Sequence, residues 1–267
     1  MKVPISIKIE KRLLTILFSI SGLLSIDLKS NKNKILCYHS ISQKNDNFSI
    51  SVKEFRKQIL KLSKTKTISN INEVMSNKIV NNNRVVITFD DGFRDVFENV
   101  YPLFKTFDIQ GCVFVVGENY LNSKAKKSDK LTLNQLKMLN KAGWDIGYHS
   151  YSHKDLTILS KKELEFEIAE SKKELEKKLG FKINYFAYPF GGYSRKVVNV
   201  VEKSEYKAAF TVDGGSMGEA NVFKMSRVCM SRHIKAGDLE FLLTDVGLCI
   251  NSIVAKIVRL KDIMKSF

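Results

Sequence analysis

RVVITFDDG, residues 84–92, decides how this chain is read. Its first half, Val85 to Phe89, is apolar, rich in β-branched side chains and unbroken, the pattern of a strand buried on both faces. It stops at two carboxylates and a glycine. Adjacent aspartates at the end of a buried strand repel one another and resist desolvation. Such a pair points to a shared cation, or to one member kept as a base. Gly92 lets the backbone turn sharply at a strand-to-loop corner. Asp-Asp-Gly is also an ordinary surface turn, and this stretch alone does not separate the two readings.

Working outward, the chain alternates. Upstream, Ile35 to His39 (ILCYH) reads as a first strand ending in histidine. Ser51 to Lys64 follows as a helix, with Phe55, Ile59 and Leu62 at helical spacing and Ser51 as N-cap. Downstream come a helix over Asp95–Phe107, interrupted by Pro102, and the buried strand GCVFVVG, residues 111–117. A short helix over Leu131–Lys141 carries Thr132 and Gln135 at capping-box spacing. GWDIGYH, residues 143–149, is a strand ending in a second histidine. Ser160–Leu179 is the clearest helix, opened by a Ser160/Glu163 capping box and closed by Gly180. Lys182–Tyr188 is a strand running into PFGG, Tyr193–Ser204 a helix, and Ala208–Val212 a strand ending at Asp213.

Strand and helix alternate without a break in composition, which is the signature of a parallel sheet with crossover helices. Six or seven such units predict an α/β fold, a distorted (β/α)7-type TIM-like barrel of mostly parallel strands. The expected division is a basic and apolar N-terminal segment with linker (1–33), the barrel domain (34–236) and a C-terminal amphipathic helix (237–267).

The 267 residues suffice for one sizeable core. A net charge of +16 is the unusual feature, from 44 Lys and Arg against 28 Asp and Glu. Much of it is lysine scattered over helical faces, without the arginine-rich, aromatic-interleaved blocks of a nucleic-acid binder. No nucleic-acid partner is expected; attraction to anionic lipid or to an acidic polymer fits better. Residues 1–30 join Lys2, Lys8, Lys11 and Arg12 to the apolar run Leu13–Ile26, too short to cross a bilayer comfortably. Peripheral membrane association, packing on the domain and an export signal are the three readings, and they leave the side of the membrane open. A monomer is expected, at the membrane or outside the cytoplasm. Cys37, Cys112, Cys229 and Cys249 show no C-x-x-C spacing and read as small buried hydrophobes.

In a parallel barrel the functional side chains collect at the C-terminal ends of the strands. Here those ends carry His39, Asp90 with Asp91, His149, the loop Tyr188–Gly191, and Asp213. This collection favours the cation reading of the aspartates over the turn. HSYSH adds His149 and His153 at i and i+4, which face one cation if the segment coils through a turn. Ser150 stands where the zincin motif has its glutamate, so that motif is excluded. Two imidazoles and one carboxylate leave positions on a metal open, as in catalytic sites.

TFDDG together with HSYSH resembles the polysaccharide deacetylase family (carbohydrate esterase family 4, the NodB-like domain). The preceding YH-containing strand resembles its branch of poly-N-acetylglucosamine deacetylases. The likeness spans roughly Ile35 to Val228. It implies a metal-dependent hydrolase that removes N-acetyl groups from amino sugars of a polysaccharide or glycolipid. It further implies a divalent metal, zinc above Co2+, Ni2+ or Mn2+, held by Asp91, His149 and His153. Asp90 matches the general base and His39 the catalytic acid. Tyr188, Pro189, Phe190 and Gly191 match the substrate loop, whose backbone helps hold the oxyanion.

Three departures stand out. Ala187 occupies the place of the family's base-orienting arginine, and Arg227 is the candidate to supply that charge from another strand. Phe190 replaces a tyrosine. No tryptophan lies late in the chain, and the single one, Trp144, reads as core. His233 is a second candidate acid that reads better as a loop residue, Asp145 reads either as a support behind the site or as a charge at the strand edge, with the first favoured, and Asp213 reads as a turn residue. An O-acetyl esterase using the same site, and a carbohydrate-binding relative without turnover, are the alternatives.

Overall fold

The computed structural model describes residues 32–75, 83–125, 129–215 and 221–264, with side chains to residue 256. The reading of residues 1–30 lies outside the described residues. Among the described residues no helix is long and apolar enough to cross a membrane.

Among the described residues eight strands form the sheet: β1 (Lys34–Tyr38), β2 (Thr67–Ile68), β3 (Arg84–Phe89), β4 (Cys112–Val115), β5 (Asp145–Tyr148), β6 (Tyr185–Ala187), β7 (Ala208–Phe210) and β8 (Val228–Cys229). Seven follow the order β7-β6-β5-β4-β3-β1-β8, and β2 pairs with β3 beside that path. Every pairing is parallel. The ends of the path meet where the run into β8 pairs with β7: Met225 N–H donates to Ala209 O at 2.9 Å and Thr211 N–H to Met225 O at 2.8 Å. The expected distorted seven-strand barrel is therefore present. Its strands are shorter than the apolar runs suggested, because strong twist and tilt end the regular pairing early.

Period-two alternation then sorts the side chains. Leu36, Tyr38, Val85, Ile87, Phe89, Val113, Val115 and Phe186 pack outward against the helices. Ile35, Val86, Cys112, Phe114, Tyr185, Ala187, Ala208 and Phe210 fill the interior. Phe114 on β4 reaches Phe210 on β7, with ring centroids 5.6 Å apart, across two intervening strands. Gly147 makes that possible, since a Cβ there would lie 2.3 Å from the Phe114 ring. The same alternation aims Cys37 on β1, Thr88 on β3 and Cys229 on β8 into the barrel, and with them the residues that adjoin strand ends: His39 after β1, Asp90 after β3, His149 after β5 and Arg227 before β8.

Ser51 caps the helix Val52–Thr65, and both expected capping boxes, Thr132/Gln135 and Ser160/Glu163, are formed. Gly180 closes the long helix in the left-handed region at φ +83°. Two helices depart from the expected regular form, each through one wide, π-type turn: Val96–Val100, just before Pro102, and Phe166–Glu170. At the second, the Ser171 hydroxyl donates to Phe166 O at 2.6 Å and accepts from Tyr148 Oη at 2.8 Å, inserting into the helical ladder. Both wide turns lie beside loops of the rim, as such bulges often do. Trp144 is core: its ring lies 6.0 Å from Phe89 and 5.4 Å from Phe104, outside the barrel.

Of the two readings of Asp145, the structure bears out the charge at the strand edge and not the support behind the site. Asp145 begins β5, whereas His149 follows its end, so roughly 13 Å of strand separates them. It backs no rim residue; it accepts from Asn72 Nδ2 at 3.1 Å instead. Burial pushes its carboxyl up to about 6, against the lowering effect of that hydrogen bond. The folded chain thus holds this proton more tightly than the unfolded one, so stability falls as pH rises from about 4 to 6. Asp145→Asn is expected to stabilise the fold by about 1–2 kcal/mol at pH 8 and by nothing near pH 4, read by urea unfolding at both pH values.

Candidate active site

Three rim residues bring metal-type donor atoms together. The donor atoms of Asp91, His149 and His153 lie within 4.8 Å of one another. His153 Nε2 stands 3.4 Å and His149 Nε2 3.8 Å from Asp91 Oδ1. His149 Nδ1 sits 2.7 Å from Ala187 O, and a carbonyl only accepts, so Nδ1 carries the proton and Nε2 presents its lone pair to the site. Burial, outweighing the nearby carboxylates, lowers the His149 pKa to about 4, which keeps the ring neutral at physiological pH. A carboxylate and two imidazoles on one rim fit a borderline divalent ion, with positions left open.

The loops bearing these ligands hold strained backbone. Among the described residues six non-glycine residues have φ in the left-handed region, and four of them are Asp91 (+68°), Ser150 (+61°), His153 (+55°) and Phe190 (+56°). Each costs about 1–2 kcal/mol. Local hydrogen bonds offset this. Buried Glu167 accepts from the backbone N–H of Tyr151 and of Ser152, both at 2.9 Å, and from the Ser152 hydroxyl. Ser150 Oγ accepts from His153 N–H at 3.0 Å, closing the turn that brings the second histidine round. Asp95 ties the loop after β1 to the loop after β3, accepting from Ile41 N–H at 3.1 Å and from Ser40 Oγ at 2.5 Å. Glu167 and Asp95 were not singled out in the sequence, since nothing local marks a helix-face glutamate as a loop anchor.

Asp90 lies beside the ligands under a buried guanidinium. Arg227, fully buried, donates from Nη1 to Asp90 Oδ1 at 2.7 Å and from Nη2 to Oδ2 at 2.8 Å. Its Nε donates to Thr211 O at 3.1 Å and its Nη1 also to Thr88 Oγ1 at 3.2 Å. The charge lies 5.1 Å over the Phe114 ring. This fork geometry fixes the carboxylate plane. Burial alone would raise the Asp90 pKa, but Arg227, and then His149, hold it well below the usual carboxylate range. The charge absent at Ala187 thus arrives from the run into β8.

The remaining sequence-selected residues divide. His39 follows β1 half-buried; its Nδ1 is buried without a hydrogen-bond partner, and its ring stands 4.8 Å from Phe48. Phe190 is 67% exposed, with its ring 4.6 Å from that of His153. Pro189 and Gly191 are buried in the same short turn. Tyr188 points outward, donating from its hydroxyl to Phe223 O at 2.9 Å, so only its backbone lies on the loop that faces the rim. Asp213 accepts from Thr211 Oγ1 at 2.9 Å and belongs to neither group of clustered metal-type donors among the described residues; nor does His233.

The cysteines are not all the buried hydrophobes expected. Cys112 is buried, but Cys249 is exposed and Cys229 half-buried. Cys37 Sγ donates to Asp90 Oδ2 at 3.2 Å. Inward alternation along β1 and β8 could have shown this, had the last pair of strands been recognised as neighbours.

Residues 77–209 match the family described as polysaccharide deacetylase. The putative polysaccharide deacetylase YxkH of Bacillus subtilis is 27% identical over 209 residues, covering 76% of this chain and 73% of that protein. The poly-β-1,6-N-acetyl-D-glucosamine N-deacetylase of Staphylococcus aureus is 23% identical over 213 residues, covering 74% and 73%. Among solved structures, the Streptococcus pyogenes deacetylase PplD in complex with acetate superposes with a TM-score of 0.71 at 25% identity, over 79% of this chain and 98% of that one. Sequence match, barrel and rim agree with one another, and the chain belongs to the polysaccharide deacetylase family of hydrolases.

Proposed function

We propose that this protein hydrolyses N-acetyl groups on the amino sugars of a polysaccharide or glycolipid, with zinc held by Asp91, His149 and His153. One observation carries the reading: a carboxylate and two imidazoles converge on a common point, with a second carboxylate, Asp90, clamped beside them by Arg227. An ion in that position supplies Lewis acidity, making water a nucleophile near neutral pH and polarising an acyl carbonyl.

The chain's own groups do the rest. Asp90, ionised and fixed in plane, accepts the proton of the attacking water. An amide nitrogen leaves only once protonated, and His39, on the neighbouring strand end, delivers that proton. The backbone of the Pro189–Gly191 turn faces the developing oxyanion. Phe48 and Phe190, 49% and 67% exposed, flank His39 and His153 and offer apolar faces to a sugar ring. The likeness to the staphylococcal enzyme makes β-1,6-linked N-acetylglucosamine the first polymer to try.

The test is acetate release from a panel of acetylated glycans, with and without chelator. Release from N-acetylglucosamine oligomers that chelation stops supports the proposal. Release from O-acetylated xylan alone would replace it with the esterase reading, and no release from any glycan would leave a binding protein. His39→Ala is expected to slow amide hydrolysis by about 10²–10⁴-fold. It should spare an activated aryl ester, whose leaving group needs no proton; equal slowing of both substrates would remove His39 as the acid.

A further inference from the structure

A second cluster beside this site has metal-binding chemistry of a different kind. β1 and β8 are parallel neighbours in which Cys37 stands directly across from Cys229. His39 lies two residues beyond Cys37, on the same inward face. Ligand atoms of Cys37, His39 and Cys229 all fall within 4.8 Å of one another. A tetrahedral ion with bonds of about 2.3 Å to sulfur and 2.0–2.1 Å to nitrogen holds such donors roughly 3.5–3.8 Å apart.

The cluster is more than two thiols in register. His39 Nδ1 is buried with no hydrogen-bond partner, a state that ordinarily costs about 1–3 kcal/mol. Both cysteines are free thiols. Cys37 is buried, while His39 and Cys229 are half-buried, so an ion has a route in from the rim. Two sulfurs and one nitrogen form a soft set, unlike the oxygen and two nitrogens of Asp91, His149 and His153. They prefer thiophilic ions and leave a fourth position for water. Cys37 also donates its S–H to Asp90 Oδ2 at 3.2 Å, so the cluster touches the base as well as the acid.

We infer that Cys37, His39 and Cys229 form a second cation site, selective for thiophilic divalent ions, whose occupation switches hydrolysis off. When an ion binds, both thiols release their protons to solvent and a ring nitrogen of His39 commits its lone pair. The hydrogen bond from Cys37 to Asp90 is lost, and His39 no longer delivers a proton. The inhibitory half of this inference rests on the proposed role of His39; the binding half does not.

The experiment uses the full chain carrying Cys249→Ser, which removes the exposed thiol, loaded with zinc and kept under a phosphine reductant. Cadmium is titrated in, with bound ion measured by equilibrium dialysis and thiolate-to-metal charge transfer by ultraviolet absorbance. The site predicts one added equivalent with a saturating thiolate band. Adding Cys229→Ser, or Cys37→Ala, should remove both signals, while Asp91→Asn should keep the band. Hydrolysis should fall at least tenfold as the band saturates, and Cys229→Ser should lose that sensitivity relative to its own cadmium-free rate. No band, or a band indifferent to both cysteine changes, overturns the site. A full band with undiminished hydrolysis overturns the inhibition. A chain with no hydrolytic activity would fail the proposed function and with it the inhibitory role, while the absorbance still decides the site.

Discussion

Asp91→Asn is expected to strip the protein of its divalent ion and its hydrolytic activity together. Asparagine is the substitution to choose because Asp91 sits at φ +68°, where asparagine is tolerated and alanine adds strain. The amide keeps the side chain's size and removes the negative charge that both imidazoles face, His153 Nε2 at 3.4 Å and His149 Nε2 at 3.8 Å. Loss of a supporting hydrogen bond to a metal ligand typically costs 10–100-fold in affinity, so loss of the ligand itself should exceed about 100-fold. Metal content after dialysis and acetate release report the two effects separately. Stoichiometric metal in the variant would contradict the ligand assignment. Metal loss with full activity would contradict the reaction.

Arg227→Met should have the largest effect on stability. It removes a fully buried guanidinium and leaves Asp90 charged, buried and without its bidentate partner. Breaking one side of such a pair costs about 3–5 kcal/mol, because the remaining charge keeps its desolvation penalty. The loss should be far smaller in Arg227→Met with Asp90→Asn, where no ion is stranded. Urea unfolding of the two single variants and the double variant closes this cycle. Equal destabilisation by Arg227→Met in both backgrounds would show that the arginine stabilises through its contacts with Phe114, Thr88 and Thr211 rather than through Asp90. Thr88 Oγ1 and Thr211 O also lose their donor in the variant, which sets a floor to the cost.

Most of the architecture was legible because its signals are local. Continuous apolar runs, capping boxes and the glycine at position 180 each report on a few neighbouring residues, and their alternation implies a parallel barrel. The meeting of Asp91, His149 and His153 was legible for the same reason: TFDDG and HSYSH are short, and strand-end placement puts them on one rim. Strand lengths and the two wide helical turns were not, since twist and the Ser171 hydroxyl act on pairings already established.

What the amino-acid sequence determined by itself was which side chains share a face and which strand ends bear titratable groups, because alternation is a property of the extended backbone. Only the tertiary structure decided which faces meet. Arg227 reaches Asp90 across 137 residues of chain, Cys37 meets Cys229 because β8 pairs with β1, and Asp145 falls at the far end of its strand from His149. Those contacts depend on how the barrel closes. Closure is set by the packing of all the strands together, and no single stretch of sequence contains it.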